Sequence, residues 1–411
     1  MPVIDEGPHM TSHLPSHLYF AATLYDHLLR YHRGDFVFSS PRQSIMASGI
    51  ALEDWAGGHA EILERADQLL ARAREQGWRR ALLMSAIGFD VSAPSRLVIP
   101  RYVEAMPQLD HSAIPSAPVS SVRRDQPAQL TAMTPTPQAY QDLVSKAVRS
   151  IREGEFEKVV LSRSLSVQAR IDLAALLATL AQRNPAGYTF AFDRQHQGQQ
   201  RTLVGASPEL LLSKCGPHIL SNPLAGSLPR SHSVAENQRR ANELMHSEKD
   251  RYEHALVVDA VATALAPFCK QLSVPPEPSV LETPTMLHLS TAISGELHGA
   301  DTSSLALALA LHPTPAVCGH PRQPAHHFIQ QQEGFDRSLF TGLVGWCGQD
   351  GNGEWAVTIR CADVGDDDAT LYAGAGIVEG SQPDKELTET SAKMGTMLAA
   401  MGLESLMEAS L

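Results

Sequence analysis

Apolar residues recur at helical spacing in some segments of the chain and alternate as in strands in others. Residues 140–151 follow helical spacing, and Thr136 followed by Pro137 supplies the N-cap and first-turn signal. The next segment, EKVVLSRSLSV, is predicted to be a strand that opens at Lys158. Further helices are predicted at 61–76 and 235–268, and further strands at 36–38, 80–87, 188–192, 202–206, 210–213, 290–297, 343–346, 355–361 and 370–373. Many strands broken by a few long helices favour an α+β layered fold over a regular βαβ repeat.

The stretch 371–397 combines the end of a strand, two glycines and a charged helix. Gly374 and Gly376 have no Cβ, so the backbone there can approach a ligand closely. Glu386, Glu389 and Lys393 follow at i, i+3 and i+7 and therefore share one helix face. This face is either solvated, with a Glu389–Lys393 pair, or part of an anion site beside a metal. It is not a dinucleotide fingerprint, because no third glycine follows.

Composition excludes several classes of protein. The 411 residues are 43% hydrophobic and 19% charged, which is typical of a soluble globular protein. The net charge of −12 argues against a broad nucleic-acid surface, and any anion site must be built from local cations. Prolines interrupt residues 111–137, which predicts an irregular connector.

Cysteine spacing and hydropathy indicate the compartment. The five cysteines are scattered and lack any C-x-x-C spacing, so neither a disulfide framework nor a zinc site is indicated. The first residues, MPVIDEGPHM, carry no apolar stretch, and no eighteen apolar residues run together. We therefore expect a cytoplasmic protein without a membrane partner.

Acidic residues in the segment SEKDRYEHALVVDAVATAL mark the point where a predicted helix turns from charged to apolar. Asp250 and Glu253 lie on one stripe there, and a carboxylate at the edge of a core must be paired, protonated or bound to metal. One interpretation is a salt bridge to an arginine. Together with Glu386 and Glu389, the other is a site for Mg²⁺, which prefers carboxylate and water oxygens to His or Cys.

Two further residues have the surroundings of an acid and a base. Glu209 lies between apolar residues in GASPELLL, and burial raises the pKa of a carboxyl group. Lys158 opens an apolar strand, where burial favours the neutral amine. Each could also be an ordinary charge at a strand end. Arg360 is expected on a strand, pointing towards the glycines, where a guanidinium could bind a carboxylate with two hydrogen bonds.

Several motifs in the same order resemble a known family. ASPELLL, PLAGS, SEKDRYEH, LHPTPAV, FDRSLFTGLVGW, GNGEWAVTIRCA and AGAGIV followed by E-x-x-E-T-x-x-x-K are similar to the chorismate-utilising enzymes, most of all to isochorismate synthases of catecholate siderophore pathways of the enterobactin type. The resemblance implies an anthranilate synthase component I-like α+β fold with two packed β-sheets and helices outside. It also implies one chorismate-binding catalytic domain over residues 1–411, in which 1–137 form the N-terminal part and connector and 138–411 the catalytic core.

Roles for individual residues follow from the resemblance. It implies that Lys158 is the base that activates water and Glu209 the acid that protonates the departing C4 hydroxyl. Direct ligands of Mg²⁺ would be Glu253 and Glu389, with Asp250 and Glu386 supporting through waters. The substrate would be held by or lie against Gly226, Ser227, His288, Ala316, Val317, Phe340, Ile359, Arg360, Gly374 and Lys393. Val317 and Cys318 depart from the family pattern, in which a leucine and a smaller or hydroxylated residue are expected.

The implied activity is that of an isomerase, an isochorismate synthase that uses Mg²⁺ and acts as a monomer. Water attacks C2 of chorismate, the double bonds shift and the C4 hydroxyl leaves. A salicylate synthase, which also eliminates pyruvate, would use the same acid, base and metal. Phe340 disfavours it, because phenylalanine has no hydroxyl to hold the pyruvyl carboxylate. A metal- or anion-binding module without turnover is the alternative from a different class.

Overall fold

The computed structural model of the chain describes residues 25–107, 121–122, 128–196 and 198–406. The strands are β1 Phe36–Ser39, β2 Gln43–Ala56, β3 Leu82–Ile87, β4 Ser95–Pro107, β5 Gln129–Thr134, β6 Lys158–Gln168, β7 Tyr188–His196, β8 Gln199–Ser207, β9 Leu210–Cys215, β10 His218–Asn222, β11 Leu224–Pro229, β12 Cys269–Ser273, β13 Ser279–Glu282, β14 Met286–Ser290, β15 Ile293–Leu297, β16 Gly319–His320, β17 Leu343–Gly348, β18 Gly353–Val357, β19 Cys361–Val364 and β20 Asp368–Ile377. The helices are α1 His59–Glu75, α2 Pro137–Arg152, α3 Leu173–Arg183, α4 Val234–His246, α5 Glu248–Leu265, α6 Ser304–Leu311, α7 Arg322–Gln332 and α8 Pro383–Met401. No helix in the described part of the chain is long and apolar enough to cross a membrane.

The apolar cores show how the layers pack. One core consists almost entirely of strand residues, among them Phe36, Phe190 and Ala356, so it lies between facing layers of strands. The other large cores combine helices with the opposite strand faces. In α1, for example, the buried residues Ile62 and Leu69 are separated by seven positions and so share one face. The expected α+β fold with packed sheets and outer helices is confirmed.

Backbone hydrogen bonds connect most of the strands into one network, so the packed layers are not two separate sheets. Seventeen of the described strands form one continuous network, and β11, β14 and β13 form a second, three-stranded sheet. In the large network β1 pairs with β7 and β3 pairs with β17. The N-terminal strands are therefore bonded directly to the predicted core. The boundaries of the domain, 1–137 and 138–411, stay predictions.

Two predicted elements are interrupted in ways that matter for the site. The single helix expected at 235–268 is two helices, because Ser247 is extended (φ −72°, ψ 112°) and its hydroxyl accepts a hydrogen bond from the amide of Asp250. The strand expected at 355–361 breaks before Arg360, whose φ is +51°. Arg360 is therefore in a turn and not on a strand. The connector expected at 111–137 contains β5, and the rest of it lies partly outside the described residues.

Candidate active site

Most of the residues predicted for the site line one cavity. They are Glu209, Gly226, Ser227, Glu253, His288, Ala316, Val317, Phe340, Ile359, Arg360, Gly374, Glu389 and Lys393. The cavity lies between the small sheet, which supplies Ser227 and His288, and the end of β20 with the first turns of α8. Lys158, Asp250 and Glu386 do not line the cavity. Lys158 forms an ion pair with a carboxylate that lines the cavity. Asp250 and Glu386 are close enough to such a carboxylate for the like charges to repel each other.

Lys158 is fully buried and forms an ion pair across the strand end. Its Nζ lies 3.0 Å from Oε1 of Glu253. A Cβ on Gly376 would lie 2.0 Å from that same Oε1 and 3.0 Å from Cε of Lys158. The glycine therefore makes room for the ion pair. Gly376 also lines the cavity, and its close approach to a ligand stays a prediction. The salt bridge considered for Glu253 is present, but its partner is a lysine and not an arginine.

Glu209 has the environment expected of an acid. It lies between β8 and β9 and is buried, and this burial raises its pKa to about 7. A hydrogen bond from the amide of Leu224 and the positive charges of Lys158 and Arg360 oppose the rise without cancelling it. Near neutral pH the carboxyl group therefore still carries a proton in a large fraction of the molecules.

Glu389 connects α8 to the small sheet. Its Oε1 accepts hydrogen bonds from the hydroxyl of Ser227 at 2.8 Å and from Nζ of Lys393 at 2.6 Å. Lys393 also donates to the carbonyl of Gly374 at 2.9 Å. The predicted Glu389–Lys393 pair is thus present, and it faces the cavity instead of solvent.

Glu386 and Asp250 complete a group of four carboxylates. Burial raises the pKa of Glu386 to about 7, and the negative charge of Glu389 adds to the rise. Burial also raises the pKa of Asp250, and there the charges of Glu253 and Glu389 add to the rise. Nζ of Lys249 lies 3.0 Å from Oε1 of Glu386 and partly offsets the repulsion. Like charges this close favour the binding of a cation among them.

The carboxylate oxygens of this group are the kind of ligand that a hard divalent cation prefers, although the side chains do not converge on one point. Glu253 and Glu389 line the cavity, and Asp250 and Glu386 lie close enough to interact with their charges, so the group offers the carboxylate oxygens that such a cation prefers. In the described part of the chain, however, no three acidic, His or Cys side chains converge as metal ligands. Glu253, Glu386 and Glu389 each contact a lysine ammonium instead.

Arg360 provides a buried positive charge in the cavity. Its positive φ turns the side chain into the cavity, while its carbonyl accepts a hydrogen bond from Ala206. Burial lowers the pKa of Arg360 to about 10, which leaves it charged at neutral pH. Nη2 of Arg360 lies 3.2 Å from Nε2 of His288. Burial and this guanidinium hold the pKa of His288 well below its usual range, so His288 is neutral and accepts the hydrogen bond.

Sequence reasoning missed some lining residues. Tyr372 lines the cavity and stacks on Phe340, with ring centroids 5.0 Å apart and an interplanar angle of 15°. The period of two along a strand was a usable signal, because it places Tyr372 on the same face of β20 as Gly374 and Gly376. Thr341 also lines the cavity with a φ of +60°, which is rare for a β-branched residue. No local pattern in the sequence indicates that backbone conformation.

Comparison with known proteins shows the family of the chain. Residues 94–402 match the family described as chorismate binding enzyme. The chain belongs to this family. The chorismate-binding chain is 46% identical over 394 residues to isochorismate synthase DhbC of Bacillus subtilis, which covers 92% of this chain and 96% of the relative. It is also 38% identical to isochorismate synthase EntC of Escherichia coli strain K12, over 90% of this chain and 95% of the relative.

A solved structure shows the same fold for this chorismate-binding chain. The crystal structure of DhbC from Bacillus anthracis superposes with a TM-score of 0.86 and 43% identity, covering 92% of this chain and 100% of that one. This similarity confirms the chorismate-binding fold that the sequence predicts.

Proposed function

We propose that this chorismate-binding enzyme is an isochorismate synthase, an isomerase that converts chorismate into isochorismate for 2,3-dihydroxybenzoate and catecholate siderophore synthesis. The observation that carries the proposal is one cavity in which the buried acid Glu209 lies with Arg360, Lys393 and a group of carboxylates. The names of the relatives, DhbC and EntC isochorismate synthases, support the same activity. We further propose that residues 1–411 are one catalytic domain that works as a cytoplasmic monomer.

The negative charges of the substrate determine which groups of the cavity can bind it. Chorismate is a dianion, and the chain has a net charge of −12, so the substrate must be held by local cations and amides. Arg360 is the buried guanidinium of the cavity and binds one carboxylate with two hydrogen bonds, replacing its contact with His288. Lys393 and the backbone of Gly226 and Gly374 contact the rest of the polar edge. Val317, Ala316, Phe340 and Ile359 form the apolar wall.

The proton transfers fall to two buried residues. Glu209 gives its proton to the C4 hydroxyl, which leaves as water. Lys158 takes a proton from the water that attacks C2, and the ring double bonds shift between the two carbons. One water enters and one leaves, so the product is an isomer of the substrate. A pKa near 7 suits the acid role, because Glu209 can both hold and release a proton at neutral pH.

Mg²⁺ is part of the proposal. Glu253 and Glu389 would hold the ion directly, and Asp250 and Glu386 would support it through waters, which matches the oxygen ligands that Mg²⁺ prefers. When bound, the ion supplies positive charge to the ring carboxylate of the substrate. The role of this chain is to hold the four carboxylates close together, and the lysines beside them neutralise part of their charge.

The activity is tested by incubating the enzyme with chorismate and Mg²⁺ and identifying the products by NMR. We expect isochorismate to accumulate together with remaining chorismate. Pyruvate formed in step with chorismate loss, measured with lactate dehydrogenase, would instead make the protein a salicylate synthase. If chorismate stayed unchanged after prolonged incubation, the result would favour the alternative that the protein is a binding module without turnover.

A further inference from the structure

Lys249 lies among the carboxylates, and the proposed reaction has no use for it. Its Nζ is 3.0 Å from Oε1 of Glu386 and 3.8 Å from Oδ1 of Asp250, and its side chain is 28% exposed. The aliphatic stem passes beside Gly380, where a Cβ would lie 3.5 Å from Cγ of the lysine. The ammonium group is therefore directed at the acidic group, although water could have solvated it.

Helix stability does not explain a lysine at this position. Lys249 is the second residue of α5, and the positive end of the helix dipole disfavours a cation in the first turn. Ser247 caps the helix, and Glu248 and Asp250 are the acidic residues that a first turn favours. The lysine is held instead by a carboxylate from another helix, Glu386 of α8.

Each of three carboxylates near the cavity has one lysine partner. Lys158 contacts Glu253, Lys393 contacts Glu389, and Lys249 contacts Glu386. In the proposed reaction Lys158 is the base and Lys393 contacts the substrate. Lys249, which contacts Glu386 and Asp250, has no role of this kind.

We propose that Lys249 takes the place of the divalent cation in the metal-free enzyme, and that Mg²⁺ must displace its ammonium from Glu386 in order to bind. The inference rests on the proposed metal role of these carboxylates. Without metal, Lys249 offsets part of the repulsion between the buried negative charges. With metal, it is a competing cation that weakens the binding of Mg²⁺. Lys249 is thus a positioning residue that sets the metal affinity.

The test removes the competing charge and measures metal binding without substrate. Lys249→Gln, and Lys249→Met as a second variant that keeps the apolar stem, are stripped with EDTA, dialysed and titrated with MgCl₂ by calorimetry. We expect the Kd for Mg²⁺ to fall by about tenfold, because the ion no longer displaces an ammonium. The matched control is Lys385→Gln, which loses the same charge from an exposed residue beside Glu386 in the sequence.

Thermal melting gives a second readout with a distinctive sign. In EDTA, both Lys249 variants should melt at a lower temperature than the wild type, because Glu386 has lost its partner. Added Mg²⁺ should raise their melting temperature by more than it raises that of the wild type. A general loss of stability would lower the melting temperature equally with and without the metal.

Three results would overturn the proposal. The Lys249 variants could bind Mg²⁺ no more tightly than the wild type, Lys385→Gln could tighten binding as much as they do, or neither the wild type nor the variants could bind Mg²⁺. Binding seen in the variants but not in the wild type would support it. The titration contains no chorismate, so its outcome is independent of which product the enzyme makes. Failure of the proposed function would appear in the NMR assay and not here.

Discussion

Replacing Glu209 by glutamine tests the proposed acid most directly. The two side chains have nearly the same shape, and glutamine can keep the hydrogen bond from the amide of Leu224. It cannot release a proton, so the C4 hydroxyl would have to leave without general acid catalysis. We expect the kcat of Glu209→Gln to fall by about 10²- to 10⁴-fold, the usual contribution of such a group. Chorismate binding, measured by calorimetry, should change little.

The pH dependence gives the second half of this prediction. Burial raises the pKa of Glu209 to about 7, so its proton is present below that pH and is lost above it. The wild-type kcat/KM should therefore fall by about tenfold per pH unit on the alkaline side of this value, because only the protonated acid is active. The weak residual activity of Glu209→Gln should lack this alkaline limb.

A buried glutamate elsewhere provides the control. Glu354 is as buried as Glu209, and burial also raises its pKa, but it accepts a hydrogen bond from Ser40 and does not line the cavity. Glu354→Gln should keep nearly full activity and the same pH profile. The reasoning would be refuted if Glu209→Gln kept more than about a tenth of the wild-type kcat. It would also be refuted if the alkaline limb persisted unchanged in the variant.

The remaining predictions concern the base, the guanidinium and the metal. Lys158→Gln should bind chorismate normally in calorimetry yet lose about 10²-fold or more in kcat, and near-normal turnover would place the base elsewhere. Arg360→Lys should raise KM by about tenfold in steady-state assays, because a lysine cannot form the two parallel hydrogen bonds of a guanidinium. An unchanged KM would argue against carboxylate binding there. EDTA should stop the wild-type reaction and Mg²⁺ restore it, whereas Glu253→Gln and Glu389→Gln should stay inactive with Mg²⁺. Full activity in EDTA would remove the metal from the proposal.

Local geometry made several features of the site predictable. Glu386, Glu389 and Lys393 could be placed on one face because helical spacing depends only on positions a few residues apart. Glu389 and Lys393 are indeed in contact, at 2.6 Å. The apolar neighbours of Glu209 indicated burial, and burial alone is enough to raise its pKa.

Features that depend on backbone conformation were outside the reach of these patterns. The helix break at Ser247 and the turn at Arg360 both lie inside segments that were each predicted to be one continuous element. At Arg360 the backbone is left-handed, a conformation that tertiary hydrogen bonds such as that from Ala206 hold in place. Propensity is a weak guide when such contacts decide the local structure.

The sequence by itself determined which residues are candidates for the site, and the tertiary structure determined which of these residues contact one another. Sequence motifs named Glu209, Lys158, Lys393 and the four carboxylates as candidates, because each motif carries its residue types at fixed spacing. Which ammonium faces which carboxylate depends on the packing of distant elements. Ser227 and Glu389 lie 162 positions apart yet share a hydrogen bond, and Lys249 meets Glu386 from another helix. Such contacts form only when the sheets and helices pack together, so no local periodicity encodes them.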